Sequence, residues 1–125
     1  MRRVLSSISV VVPALPGEGP SLAERIREAV EEAGLTAFVR AEGYAFMPSE
    51  AVGRLGLPHL RLALVGDRIS LWVRDPHKLG LGPFGAEEIY QGIMRAVRAA
   101  ASVVEDYCSE RGIEAIIEVP RPTRL

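Results

Sequence analysis

The chain has 125 residues, of which 48% are hydrophobic, with 15 basic and 16 acidic residues and a formal net charge of −1. A chain of this length and mixture buries enough apolar surface to fold without staples, which excludes a disordered tail. The near-neutral balance excludes a global field that draws the whole molecule to nucleic acid or to a membrane, so any such binding needs a local patch.

The N-terminus, Met1-Arg2-Arg3-Val4-Leu5-Ser6-Ser7, has neither the unbroken apolar run nor the small-residue site of a signal peptide. Cys108 is the single cysteine, so no intramolecular disulfide is available and a reducing compartment is expected. With no apolar run long enough to span a bilayer, the sequence points to the cytoplasm and to no membrane partner. There is no Asn, one Gln (Gln91) and one Lys (Lys78) beside fourteen Arg. Scarce thermolabile amides with abundant Glu and Arg fit a thermophile, although GC-rich coding has the same signature.

Val4 to Val12 alternates, with Val4, Ile8, Val10 and Val12 on one side, and predicts a half-buried strand. The Pro- and Gly-rich stretch Pro13 to Pro20 ends it. Ser21, with Glu24 three residues on, has capping-box form and predicts a helix that starts there. Its apolar stripe is Leu22, Ile26, Ala29, Val30 and Ala33, and Gly34 closes it. Thr36 to Met47 reads as a hairpin, or as one strand bulged at Gly43. Pro48 to His59 is a loop with helical potential around Glu50 to Leu55.

Leu60 to Val73 folds back at Gly66-Asp67, which pairs Leu64 with Ile69, Leu62 with Leu71 and Leu60 with Val73. All six are apolar and share a face, while Arg61, Ala63, Arg68, Ser70, Trp72 and Arg74 share the other. Arg74 to Gly85 is a second Pro/Gly loop. Ala86 to about Arg111 predicts a long amphipathic helix with Ile89, Ile93, Val97, Ala100, Val104 and Tyr107 in its stripe, closed by Gly112. Ile113 to Val119 predicts a last strand, with Glu114 and Glu118 outward.

This order describes one α+β domain over residues 1–125. The economical arrangement is a ferredoxin-like two-layer sandwich, two helices on one face of a mainly antiparallel sheet, with an extra β-hairpin. Two smaller sheets are the alternative, because the sequence does not assign the 36–47 segment to the main one.

Four groups of residues are candidates for chemistry. The hairpin register sets His59 opposite Arg74 and close to Asp75 and His77. Two imidazoles and a carboxylate suit an acid–base pair or a divalent metal. Exposed loop residues beside Pro58 and Pro76 are the plainer explanation. Gly80, Gly82 and Gly85 form a GxGxxG string after Lys78 and before a helix, a place where a phosphate-bearing cofactor sits. Pro83 removes one amide, Glu87 and Glu88 crowd the site with negative charge, and no parallel βαβ unit surrounds it, so a turn-rich connector explains the string as well. The sequence identifies no particular cofactor.

In the sandwich the first and last strands are neighbours, which gathers Arg2, Arg3, Arg121 and Arg124 at one corner. Trp72 beside Arg61, Arg68 and Arg74 extends this arginine-rich corner as a nucleic-acid surface with a stacking platform. Solvated termini, the acidic Glu114 and Glu118 on the same face, and a plain Arg61–Trp72 cation–π pair weigh against it. Gly92, Ala96 and Ala100 form a row of small residues that suits close helix approach in a two-fold dimer, or equally packing within the chain. Cys108 has no His or acid partner in the pattern and reads as a core residue.

Ile8-Ser9-Val10-Val11-Val12-Pro13, then Glu32-Ala33-Gly34-Leu35, Glu42-Gly43-Tyr44, Arg111-Gly112-Ile113 and Ile117-Glu118-Val119 give an outline that resembles the small thiamine-binding proteins of ferredoxin-like fold. The resemblance implies the same sandwich. This chain departs from it by the whole 60–73 hairpin, and no binding residue is carried over. Three functions stay open: a non-catalytic binding or assembly module, homo-oligomeric and taking a small-molecule ligand or protein partner; a metal-dependent or acid–base enzyme using His59, Asp75 and His77; and an RNA- or DNA-associated protein using the arginine corner.

Overall fold

A computed structural model of the chain describes residues 9–48, 59–74, 86–114 and 116–118. The elements are β1 (Ser9–Pro13), α1 (Gly19–Glu32), β2 (Leu35–Arg40), β3 (Gly43–Pro48), β4 (His59–Val65), β5 (Arg68–Arg74), α2 (Ala86–Arg111) and β6 (Ile116–Glu118). The strands form one sheet in the order β2-β3-β4-β5-β1-β6, with every neighbouring pair antiparallel. The fold is α+β.

The β4–β5 pair has the register expected from its turn and its alternation: Leu64 faces Ile69, Leu62 faces Leu71, Leu60 faces Val73 and His59 faces Arg74. Gly66 has φ 64°, a left-handed conformation that glycine adopts without the Cβ penalty. β1 continues the pattern on the other side of β5, pairing Val10 with Leu71 and Val12 with Ile69. The inward residues of β1, β3, β4 and β5 join Leu22, Ile26 and Val30 of α1 and Ile93, Ala96, Ala100, Val104 and Tyr107 of α2 in one buried cluster. Both helices therefore cover the same face of the sheet. A void of about 90 Å³ remains between sheet and α2, lined by Val10, Leu60, Leu71, Val73, Val97, Ala100 and Ala101.

Residues 35–48 form a hairpin and not a bulged strand, and the two-sheet alternative is overturned because β3 pairs with β4. Gly43 makes that junction. It stands opposite Ala63, and a Cβ built on it would run into the carbonyl oxygen of Leu62. The adjacent amide of Leu64 donates to the carbonyl of Glu42 at 2.7 Å.

The expected capping box is corrected. α1 starts at Gly19, two residues before Ser21, and no side chain caps it from the N-cap position, Glu18. The acceptor comes from the β4–β5 turn instead: Asp67 takes hydrogen bonds from the backbone N–H groups of Gly17 and Gly19, both at 3.0 Å. Pro20 presets the first-turn φ, and a side chain at position 19 would meet the Asp67 Cα at 2.8 Å. The amides of Gly17 and then Gly19 hold the Asp67 carboxyl below its ordinary pKa.

A second tie joins the start of α1 to the end of α2. The Tyr107 hydroxyl donates to Glu18 Oε1 at 2.8 Å and accepts the Leu15 N–H at 3.0 Å. Arg111 donates to the same Glu18 oxygen and lies over the Tyr107 ring. The guanidinium of Arg111, followed by the Tyr107 hydroxyl, lowers the Glu18 pKa. After α2, Gly112 has φ 65° and the Ile113 N–H bonds the Cys108 carbonyl, a Schellman-type stop. That closure takes Ile113 and Glu114 out of the last strand, so Glu114 is exposed coil and not an outward sheet residue, a correction to the expected Ile113–Val119 strand.

Replacing Gly43 by Ala is expected to lower stability by about 1–3 kcal/mol, as overpacking does, with faster amide exchange along β3 and β4. Asp67→Asn is expected to lower the melting temperature at neutral pH. A depressed carboxyl pKa stabilises the fold above its unfolded value and ceases to do so as the pH falls through the folded one. The gap between wild type and variant therefore closes on titration below about pH 4, which thermal melts across that range measure.

Candidate functional site

The face of the sheet opposite the helices follows from the same registers. One row across it reads Phe38 (β2), Ala45 (β3), Arg61 (β4) and Trp72 (β5). A second reads Arg40, Gly43, Ala63, Ser70 and Val11. Phe38, Met47, Trp72 and Val11 are half-buried, and no described helix packs on this side. Arg40 and Arg68 are exposed at its β2 and β5 positions. The Arg61 guanidinium carbon stands 5.8 Å from the Trp72 ring centroid, which is the expected cross-strand cation–π pair.

Charge is divided between the two layers. Among the described residues, Glu24, Glu28, Glu31, Glu32, Glu87, Glu88, Glu105, Asp106 and Glu110 belong to the helices, beside Arg25, Arg27, Arg95, Arg98 and Arg111, and Glu18, Glu42 and Asp67 to turns. The open face has Arg40, Arg61 and Arg68. Glu118 is the one acidic residue, among those described, that the register sets on this face, at the β6 edge beside Ser9.

His59 is half-buried at the start of β4 and pairs with Arg74 in the register expected. Asp75 and His77 lie outside the described residues, as do Lys78, Gly80, Gly82 and Gly85. No group of three or more His, Cys, Asp or Glu among the described residues is placed to hold a metal ion. β1 and β6 are antiparallel neighbours, Ser9 opposite Glu118, whereas Arg2, Arg3, Arg121 and Arg124 lie outside the described residues. Trp72 is the nucleic-acid candidate that the structure places, and it shares its row with Phe38, which the sequence did not single out. The alternation Thr36, Phe38, Arg40 ahead of the Ala41-Glu42 turn carried that signal.

Ala96 and Ala100 are packed in the chain's own core, whereas a side chain at Gly92, though that residue is buried, would meet only the end of Arg95. Cys108 is buried, and desolvation raises its thiol pKa, the reverse of what activates a thiolate. A concavity of about 440 Å³ opens beside the β2–β3 turn, where the helix layer stops short and leaves Val39 78% exposed. Tyr44, Leu62 and Leu64 line it, with Glu24 at its rim. Glu24 is already held by Arg27 and lies 3.4 Å from the Tyr44 hydroxyl.

No helix of the described residues is long and apolar enough to cross a membrane. Comparison with protein-family models, curated proteins and solved structures found no match.

In a double-mutant cycle, Arg61→Ala and Trp72→Ala are expected to couple by about 0.5–2 kcal/mol in urea unfolding, the range from exposed to desolvated cation–π pairs, since both residues are half-buried. Additive effects would show that the two side chains are neighbours without mutual stabilisation.

Proposed function

We propose that the protein is a non-catalytic binding or assembly module whose working surface is the open face of its sheet. The observation that carries this is the row Phe38–Ala45–Arg61–Trp72, apolar and aromatic groups set on a face that no described helix covers. Half-buried rings on a sheet face that no described helix covers suit an interaction surface. Where the occupant is a second copy, this face and not α2 would join it, because Ala96 and Ala100 of α2 are packed in the chain's own core.

The ferredoxin-like outline belongs to the same proposal. The order β4-β5-β1-β6, with a helix after β1 and another after β5, supports that core, and β2–β3 is then the added hairpin that widens the working face. The 60–73 hairpin takes the place of two core strands.

Native mass spectrometry of the full chain, purified without chelator, is expected to show a second copy or a retained molecule. Phe38→Glu/Trp72→Glu, checked for an unchanged far-UV circular dichroism spectrum, is expected to give the bare single chain. Occupancy that the double substitution leaves unchanged overturns the proposal, as does a bare wild-type chain that also takes up no added oligonucleotide.

A further inference from the structure

We infer that the open face takes single-stranded nucleic acid, with bases stacked on Trp72 and Phe38 and phosphates neutralised by Arg40 and Arg68; this rests on the open face being the working surface. Three features carry it. First, the rings are spaced for separate bases: Phe38 on β2 and Trp72 on β5 occupy one row three strand intervals apart, about 14 Å at ordinary strand spacing. Beside them lie the small residues Gly43, Ala63 and Ser70; between them Ala45 is fully buried and the Arg61 guanidinium approaches the Trp72 ring, which a base would stack beside or displace.

Second, charge is complementary to a polyanion. The chain as a whole is near neutral, yet α1 and α2 hold nine acidic residues against five arginines, while the register sets Arg40, Arg61 and Arg68 on the open side. Glu118 stands at the far β6 edge, and Glu114, once expected on this face, is in the coil after α2. Third, the same charges disfavour the rival occupant. A two-fold pairing of this face with itself would bring arginine towards arginine, whereas a phosphate backbone neutralises them and releases its counterions. Bases offer their π-faces to such rings only when unstacked, which selects single strands over duplex.

Fluorescence anisotropy with oligo(dT) and oligo(U) of about 12 nucleotides tests this on the full chain. Binding is expected to weaken as salt rises from about 50 to 200 mM, and Arg40→Ala/Arg68→Ala to flatten the log–log slope by about 0.7 for each phosphate no longer neutralised. Trp72→Ala is expected to weaken binding by roughly fivefold to a hundredfold with the slope kept, and Trp72→Phe to restore most of it. No binding up to about 100 μM protein at low salt, equal binding of a duplex, or indifference to both Trp72→Ala and Phe38→Ala overturns the inference. Should oligonucleotides fail while native mass spectrometry shows a dimer that Phe38→Glu/Trp72→Glu dissociates, the nucleic-acid inference alone falls; should neither occupy the face, the binding-module proposal falls with it.

Discussion

The register of the β4–β5 hairpin is the constraint on which the rest of the fold depends. Because side chains alternate across a strand, one turn at Gly66-Asp67 decides at once which residues meet the helices and which face away. It sends Leu60, Leu62, Leu64, Ile69, Leu71 and Val73 inward and Arg61, Ser70 and Trp72 outward. The same turn carries the carboxylate that receives the first amides of α1, so the sheet's register and the helix's position are set by adjacent atoms. A slip by one residue would exchange the two faces of this hairpin and remove the seat of α1.

From that constraint the two layers acquire different chemistry. The helix layer is where the carboxylates stand, and they are engaged locally: Glu24 and Glu31 with Arg27, Glu18 with Tyr107 and Arg111. The Glu18 contacts tie the start of α1 to α2, and Tyr107 holds the β1–α1 turn as well, while the Arg27 pairs lie within α1. The outer sheet face instead combines rings, small residues and arginines. A sheet covered on both sides would bury such rings against a second apolar layer; here the described helices lie on one side only, which is why the opposite face is the candidate site.

Much of this was legible in the sequence where local chemistry and pattern agree. The 60–73 hairpin has its turn residues and its alternation in one short stretch, and α2 has a stripe long enough to define itself. What was not legible depends on contacts between distant segments. The true cap of α1 is 48 residues from Gly19, so the nearby Ser21 and Glu24 gave the wrong start. The sequence leaves 36–47 open between a hairpin and a strand bulged at Gly43, and only the Leu62 carbonyl beside Gly43 joins β3 to β4 and brings Phe38 into the row of Trp72. Trp72 and His59 could be placed from the sequence because they belong to the hairpin. Glu114 could not, because an alternating pattern ran on past a helix stop whose geometry is set by Gly112.

The position of β1 has a consequence for how the chain reaches this state. It is made before any other described strand, yet its partners are β5 and β6, and the pair Ser9–Glu118 spans almost the whole chain. On the ribosome β1 therefore waits unzipped, its hydrogen-bonding edges unmet, while β2 to β5 can assemble as a local meander. Closure of such distant pairs carries a loop entropy that local pairing does not, so completing the sheet is a late step in folding.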